Sequence, residues 1–175
     1  MKENELSAIQ FRDHVWLLAR NAKQIGLQGE GVITGNGSDY FKIEPRQILA
    51  WIGAGAKTGK VKHPIQNRAI SYNYTIQFSE CQDVSISGLR FLDSPHWTIH
   101  TLACDRVKIE KVTIQNLLYG PYTDGFDIDA CNDVVVKNCV VTAGDDAFCV
   151  KFTNKRGLAR PCGRILFEDC IARSA

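Results

Sequence analysis

Three carboxylates in two short segments are the residues of this chain best suited to chemistry. They are Asp124, in Thr123-Asp124-Gly125, and the pair in Gly144-Asp145-Asp146. Each segment runs directly into an alternating stretch, Phe126-Asp127-Ile128-Asp129 or Phe148-Cys149-Val150-Lys151. Aligning those stretches sets Asp124 on Asp146 and Thr123 on Asp145. On paired strands about 4.8 Å apart, the three carboxylates would share one patch. Like charges that close repel, so one group is expected to hold its proton beside ionised partners. Glycoside hydrolysis needs that division of labour: one acid for the leaving oxygen, and a carboxylate pair to activate water. Two other readings use the same residues. An Asp pair after Gly makes a turn through Asx hydrogen bonds, and clustered carboxylates and carbonyls suit calcium.

The elements that must position these groups emerge from an internal repeat. Four segments align without gaps, beginning at Cys81 (Cys-Gln-Asp-Val-Ser-Ile), Cys104 (Cys-Asp-Arg-Val-Lys-Ile), Cys131 (Cys-Asn-Asp-Val-Val-Val) and Cys162 (Cys-Gly-Arg-Ile-Leu-Phe). A weaker fifth copy begins at Ala22. The four starts lie 23, 27 and 31 residues apart. Each copy has a small residue, two polar residues and then a period-2 alternation, the pattern of a short half-buried strand. No helical stripe separates the copies, so βαβ units do not fit. The Leu-x-x-Leu-x-Leu signature of leucine-rich repeats is absent. Units that bury their apolar faces only by stacking on one another form a solenoid. The expected architecture is all-β: a right-handed parallel β-helix over 1–175 as a single partial domain, incomplete at its C-terminal end. Val84, Val107, Val134 and Ile165 should stack in one inward row, and Cys81, Cys104, Cys131 and Cys162 in a corner ladder of small, weakly polar filler.

A second alignment matches Trp97-Thr98-Ile99-His100 with the Phe126 and Phe148 stretches. It predicts an inward aromatic stack of Trp97, Phe126 and Phe148, with Ile99, Ile128 and Val150 beside it. The alternate residues would then face outward, as rows Thr98–Asp127–Cys149 and His100–Asp129–Lys151. That polar face makes His100, Asp127, Asp129 and Lys151 candidate ligand contacts, although Asp127 and Asp129 also fit solvated positions without a task. The stretch 36–68, with Gly53, Gly55, Gly59 and Pro64, reads as a long loop that either shapes a cleft or covers surface.

Composition narrows the classes. The 175 residues are 45% hydrophobic and 23% charged. With 21 Lys plus Arg against 19 Asp plus Glu, the formal net charge is only +2 and no basic block appears, which argues against nucleic-acid binding. No apolar run reaches about 18 residues, so no membrane helix is expected. The charged start Met1-Lys2-Glu3-Asn4-Glu5 lacks the apolar stretch of a signal peptide. The seven cysteines contain no Cys-x-x-Cys spacing, against a zinc ribbon or a thioredoxin-type motif.

The segments Pro95-His96-Trp97-Thr98-Ile99-His100, Gly120-Pro121-Tyr122-Thr123-Asp124-Gly125-Phe126-Asp127-Ile128 and Gly144-Asp145-Asp146-Ala147-Phe148-Cys149-Val150-Lys151 resemble the polygalacturonases, glycoside hydrolase family 28. Gly29-Glu-Gly-Val-Ile-Thr-Gly-Asn-Gly37 resembles that family's first coil, and the resemblance extends from about His14 to the C-terminus. It implies inverting hydrolysis of α-linked galacturonan or a related pectic chain, with no metal cofactor, in proteins that are usually secreted or periplasmic. Carried over by position, Asp145 is the general acid, while Asp124 and Asp146 hold and deprotonate water. The chain departs from the family in two ways. Tyr122 stands where the first motif normally has Asn, and it offers a ring or a hydroxyl in place of an amide. The Gly-His-Gly and Arg-Ile-Lys motifs expected on later coils do not occur, so the chain is expected to be a fragment. Lys151, with Lys155, Arg156 and Arg160, is left to supply positive charge. The competing functions are a calcium-dependent pectate lyase, a non-catalytic carbohydrate-binding β-helix and a structural or adhesive β-helix.

Overall fold

The computed structural model describes residues 14–42, 66–67, 73–153, 157–158 and 160–175. The first coil comprises β1 (His14–Arg20), β2 (Lys23–Gln28) and β3 (Val32–Thr34). A 3-10 turn, Gly37–Asp39, and an antiparallel pair, β4 (Phe41–Lys42) with β5 (Gln66–Asn67), follow it. Four more coils continue the solenoid. They are β6 (Asn73–Ser79), β7 (Gln82–Ser87) and β8 (Arg90–Leu92); β9 (Ile99–Leu102), β10 (Asp105–Glu110) and β11 (Thr113–Gln115); β12 (Phe126–Asp129), β13 (Asn132–Lys137) and β14 (Val140–Ala143); and β15 (Phe148–Lys151), β16 (Gly163–Glu168) and β17 (Ile171–Ser174).

Corresponding strands pair in parallel to build three five-stranded sheets, ordered β1-β6-β9-β12-β15, β2-β7-β10-β13-β16 and β3-β8-β11-β14-β17. This is a right-handed parallel β-helix, the hand that twisted parallel strands favour. Most of the 36–68 loop lies outside the described residues. Its start is tied to the second coil, where Ser38 donates through its backbone N–H and its hydroxyl to the Asp93 carboxylate.

The period-2 rows stack as the cysteine-led segments require. Ile25, Val84, Val107, Val134 and Ile165 are level with one another. Together with the Leu27–Ile86–Ile109–Val136–Phe167 row they fill the interior. Asn21, Glu80, Ala103 and Ala130 turn the corner in the left-handed region, immediately before Ala22, Cys81, Cys104 and Cys131. Two of the thiols then accept from the backbone of the preceding coil: Cys81 N–H donates to Cys104 Sγ at 3.4 Å, and Cys104 N–H to Cys131 Sγ at 3.3 Å. All seven cysteines are unpaired.

One predicted row is wrong. Phe126 and Phe148 do stack, with ring centroids 5.6 Å apart, but Ile99 and not Trp97 stands opposite Phe126. The Ile99 N–H donates to the Gly125 carbonyl, and this fixes the register two residues further along. A β-branched Ile therefore fills the interior position, and the larger Trp97 lies outside, stacked on Tyr74 at 5.1 Å. The outer rows consequently read Gln77–His100–Asp127–Cys149 and Ser79–Leu102–Asp129–Lys151.

Candidate functional site

Both carboxylate segments sit where the chain enters the first sheet, just before β12 and β15, and close backbone packing holds them there. Gly125 is packed so closely that a Cβ would stand 2.5 Å from Val141 Cγ1 of its own coil and collide with the Ala147 carbonyl of the next. Only glycine permits that approach. The Thr123 hydroxyl donates to the Gly120 carbonyl at 2.8 Å and accepts from the Gly144 N–H at 3.1 Å, which joins the two segments. Beneath them, Asn116 Nδ2 donates to Thr98 Oγ1 at 2.8 Å and to the Thr123 carbonyl at 3.0 Å. Thr98 Oγ1 in turn donates to the Asp124 carbonyl at 2.8 Å. The Ser94 N–H closes this buried network on Asn116 Oδ1.

The three carboxylates end in different surroundings. Asp124 is buried, its side chain only 3% exposed, whereas Asp145 and Asp146 are exposed. Lys151 Nζ lies 2.9 Å from Asp124 Oδ2 and 2.6 Å from Asp127 Oδ1, and 3.7 Å above the centre of the Trp97 ring. Burial pushes Asp124 above the ordinary carboxylate range, with Lys151 opposing the shift and Asp145 adding to it. Asp127, fully buried, is raised well above that range by desolvation and then by the Asp124 charge. Asp145 is raised by burial and by its neighbour Asp146, with the Lys151 charge and then the Tyr122 backbone partly offsetting the rise. One cation thus serves two buried carboxylates, and both of them, like the neighbouring Asp145, are held above the ordinary carboxylate range.

The outer face of this sheet is covered, unlike the solvated groove its polar pattern suggests. His100, Asp127 and Asp129 are fully buried. Tyr74 and Trp97 pack edge-on against the His100 ring, at 5.2 and 5.1 Å. His100 Nε2 faces Asp129 Oδ2 at 3.3 Å, and Gln77 Nε2 faces His100 Nδ1 at 2.9 Å. Thr153 donates to Asp129 through both its N–H and its hydroxyl. Burial would raise Asp129, yet these hydrogen bonds hold it below the ordinary carboxylate range. Tyr122, by contrast, is 54% exposed and stacks on buried His96 at 5.7 Å and 17°.

Of the other basic candidates, Arg160 is turned to a coil corner, where it binds Asp105 and the Cys104 and Ala130 carbonyls. Lys155 and Arg156 lie outside the described residues. Sequence reading missed Asn116, Tyr74 and His96 as site-builders. Asn116 had a detectable signal, because it is level with Ala143 of the next coil and so places an amide at an interior repeat position.

The family model for glycosyl hydrolases family 28 matches residues 4–161. The chain belongs to that family. A probable polygalacturonase of Arabidopsis thaliana is 28% identical over 135 residues, covering 77% of this chain and 24% of its own length. The endo-polygalacturonase of Pectobacterium carotovorum subsp. carotovorum is 22% identical over 146 residues, 83% of this chain and 34% of its own length. Among solved structures, the polygalacturonase from Erwinia carotovora ssp. carotovora superposes with a TM-score of 0.68 at 19% identity, over 90% of this chain and 39% of that one. The exopolygalacturonase from Thermotoga maritima gives 0.57 at 21% identity, over 76% and 33%. These superpositions concern the fold. The chain spans about a sixth to a third of the length of the curated relatives it matches. Among the described residues no helix is long and apolar enough to cross a membrane.

Proposed function

We propose that the protein hydrolyses glycosidic bonds in a pectic polysaccharide, galacturonan or a related chain, with inversion at the anomeric carbon. The observation that carries this reading is the unequal environment of three neighbouring carboxyls on adjacent coils of a family 28 β-helix. Asp145, exposed and biased toward its protonated form, gives its proton to the glycosidic oxygen as the C–O bond breaks. Asp124 and Asp146 orient a water on the opposite face of the sugar and take its proton as its oxygen bonds to the anomeric carbon. Lys151 favours the ionised form of Asp124 against the effect of burial, as a base requires. Tyr122 and the accessible edge of Lys151 contact substrate, while buried His100, Asp127 and Asp129 support the floor beneath.

Reducing ends released from polygalacturonic acid by the purified protein test the proposal, with Asp145→Asn as the variant. The expected loss is about 10²- to 10⁴-fold, the range general acids contribute. Release that survives the substitution, or its absence from the unmodified protein, overturns the reading. Because the acid must carry its proton, activity should fall as pH rises through the elevated Asp145 pKa.

A further inference from the structure

Asp127 and Asp129 stand two residues apart on β12, both fully buried, yet their partners differ in kind. Asp129 meets His100 Nε2 and accepts from both the N–H and the hydroxyl of Thr153. Those partners suit an ionised carboxylate, and they hold it below the ordinary range against burial. Asp127 meets the ammonium of Lys151 at 2.6 Å, and the same ammonium serves Asp124 at 2.9 Å. Level with Asp127 on β9 is His100, whose ring nitrogens face Asp129 and Gln77. Level with it on β15 is Cys149, whose thiol burial pushes up to about 12, so that it carries no charge near neutrality. Asp145, ahead of β15, adds its charge on the Asp124 side.

Two carboxylates that are both ionised on one shared ammonium, away from water, leave a buried charge without its own partner. Carboxyl pairs so placed hold a proton between them and carry a single negative charge. The two members are not equivalent. Asp124 lies ahead of β12, in the segment that Thr123 ties to Gly144, close to exposed Asp145 and Asp146; Asp127 lies within the strand. Desolvation is the leading cause of the rise in both, and Asp127 is the one raised well above the ordinary range. We infer that Asp127 is a positioning residue that keeps its proton in the native protein: as a neutral acid it holds the Lys151 ammonium in place and leaves the negative charge of the pair to Asp124. This inference deepens the reading of Asp124 as a base and takes its functional meaning from it.

The test counts protons and needs no turnover. Thermal unfolding at pH 5.5, followed by calorimetry in buffers of different ionisation heat, gives the protons released. An unfolded Asp ionises at about 3.9, so wild type should release about one proton more than Asp127→Asn. In carboxyl NMR with carbon-13 aspartate, the resonance missing from Asp127→Asn should keep the shift of a protonated acid in wild type at pH 5.5. In Asp124→Asn, where Lys151 is left to Asp127, that resonance should ionise at a pH lower by about one or more. An amide stands in for a neutral acid but not for a carboxylate. Asp127→Asn should therefore keep the wild-type urea midpoint at pH 5.5 within about 0.3 M, while Asp127→Ala loses about 0.5–1.5 M. Equal proton release, an Asp127 resonance already ionised at pH 5.5, an unmoved resonance in Asp124→Asn, or an Asp127→Asn protein that is unfolded or as weak as Asp127→Ala overturns the inference. These readings do not depend on release of reducing ends, so their failure leaves the hydrolase reading standing, and its failure leaves them standing.

Discussion

Replacing Lys151 with Met removes the charge between Asp124 and Asp127 but keeps an unbranched chain to lie over Trp97. Taking one partner from a buried ion pair usually costs about 3–5 kcal/mol, and the low end applies here because Lys151 keeps some contact with water. The loss should depend on pH, and its sign is fixed. Asp124 and Asp127 already sit above their unfolded pKa, so the native state binds the extra protons and stability falls as pH rises above about 3.9. Without Lys151 the window extends upward. The stranded carboxylate escapes by taking a proton, which costs about 1.4 kcal/mol per pH unit above its ordinary value. That route costs about 1 kcal/mol at pH 4.5 and about 5 at pH 7.5, where an unpaired buried charge becomes the cheaper alternative at about 3 kcal/mol. With a urea m-value of about 2 kcal/mol/M, the midpoint should drop by about 0.5 M at pH 4.5 and about 1.5 M at pH 7.5. Urea unfolding at the two pH values measures both shifts. Equal losses would refute the reasoning, since they would mean that packing on Trp97, not charge, is what Lys151 supplies.

Three other perturbations probe the frame around the site. Asn116→Ala unseats Thr98, Ser94 and the Thr123 carbonyl together, and should cost about 1–3 kcal/mol in urea unfolding; a change below about 0.5 kcal/mol would show that the network is dispensable. Gly125→Ala drives a methyl into the next coil and should destabilise by about 1–3 kcal/mol or more, with lost turnover as Asp124 shifts, whereas unchanged stability would contradict the close approach described above. In native protein, Cys81, Cys104, Cys131 and Cys139 should stay silent to Ellman's reagent until denaturant is added. Cys149 should be sluggish at pH 8 because burial pushes its thiol up to about 12, and more than three thiols reacting natively would contradict the buried ladder.

The solenoid was legible because its signal is local and repeated. A small corner residue followed by Val-x-Ile or its equivalent sets both the facing of a strand and the partner of each residue, and the observed register of Val84, Val107 and Val134 follows. Trp97 misled because an aromatic–x–aliphatic match has period two, so Ile99 satisfies the row as well, and one backbone bond chooses between them. The polar outer face was legible as composition but not as burial. Its cover comes from Tyr74 and Trp97, which meet only across coils, and from Thr153 beyond the end of its strand. Lys151 was readable as a cation near the carboxylates. Its partners were not, because it reaches Asp124 and Asp127 and leaves its register neighbour Asp129 to His100 and Thr153.

Coil-on-coil pairing also determines how the molecule opens. Each rung hangs from its neighbours through bonds such as Asp105 N–H to the Cys81 carbonyl and Asn132 N–H to the Cys104 carbonyl, so stability is a chain of adjacent couplings. Amide exchange in each rung should therefore report its coupling to the rungs on either side. Asp145, Asp146 and Lys151 all belong to the fifth rung, while Asp124 belongs to the fourth. Loss of the β12–β15 pairing would separate Asp124 from the acid, the other half of the base pair and the cation at once. Heat inactivation should then follow the amide exchange rate of β12 and β15, whose pairing holds the two rungs together.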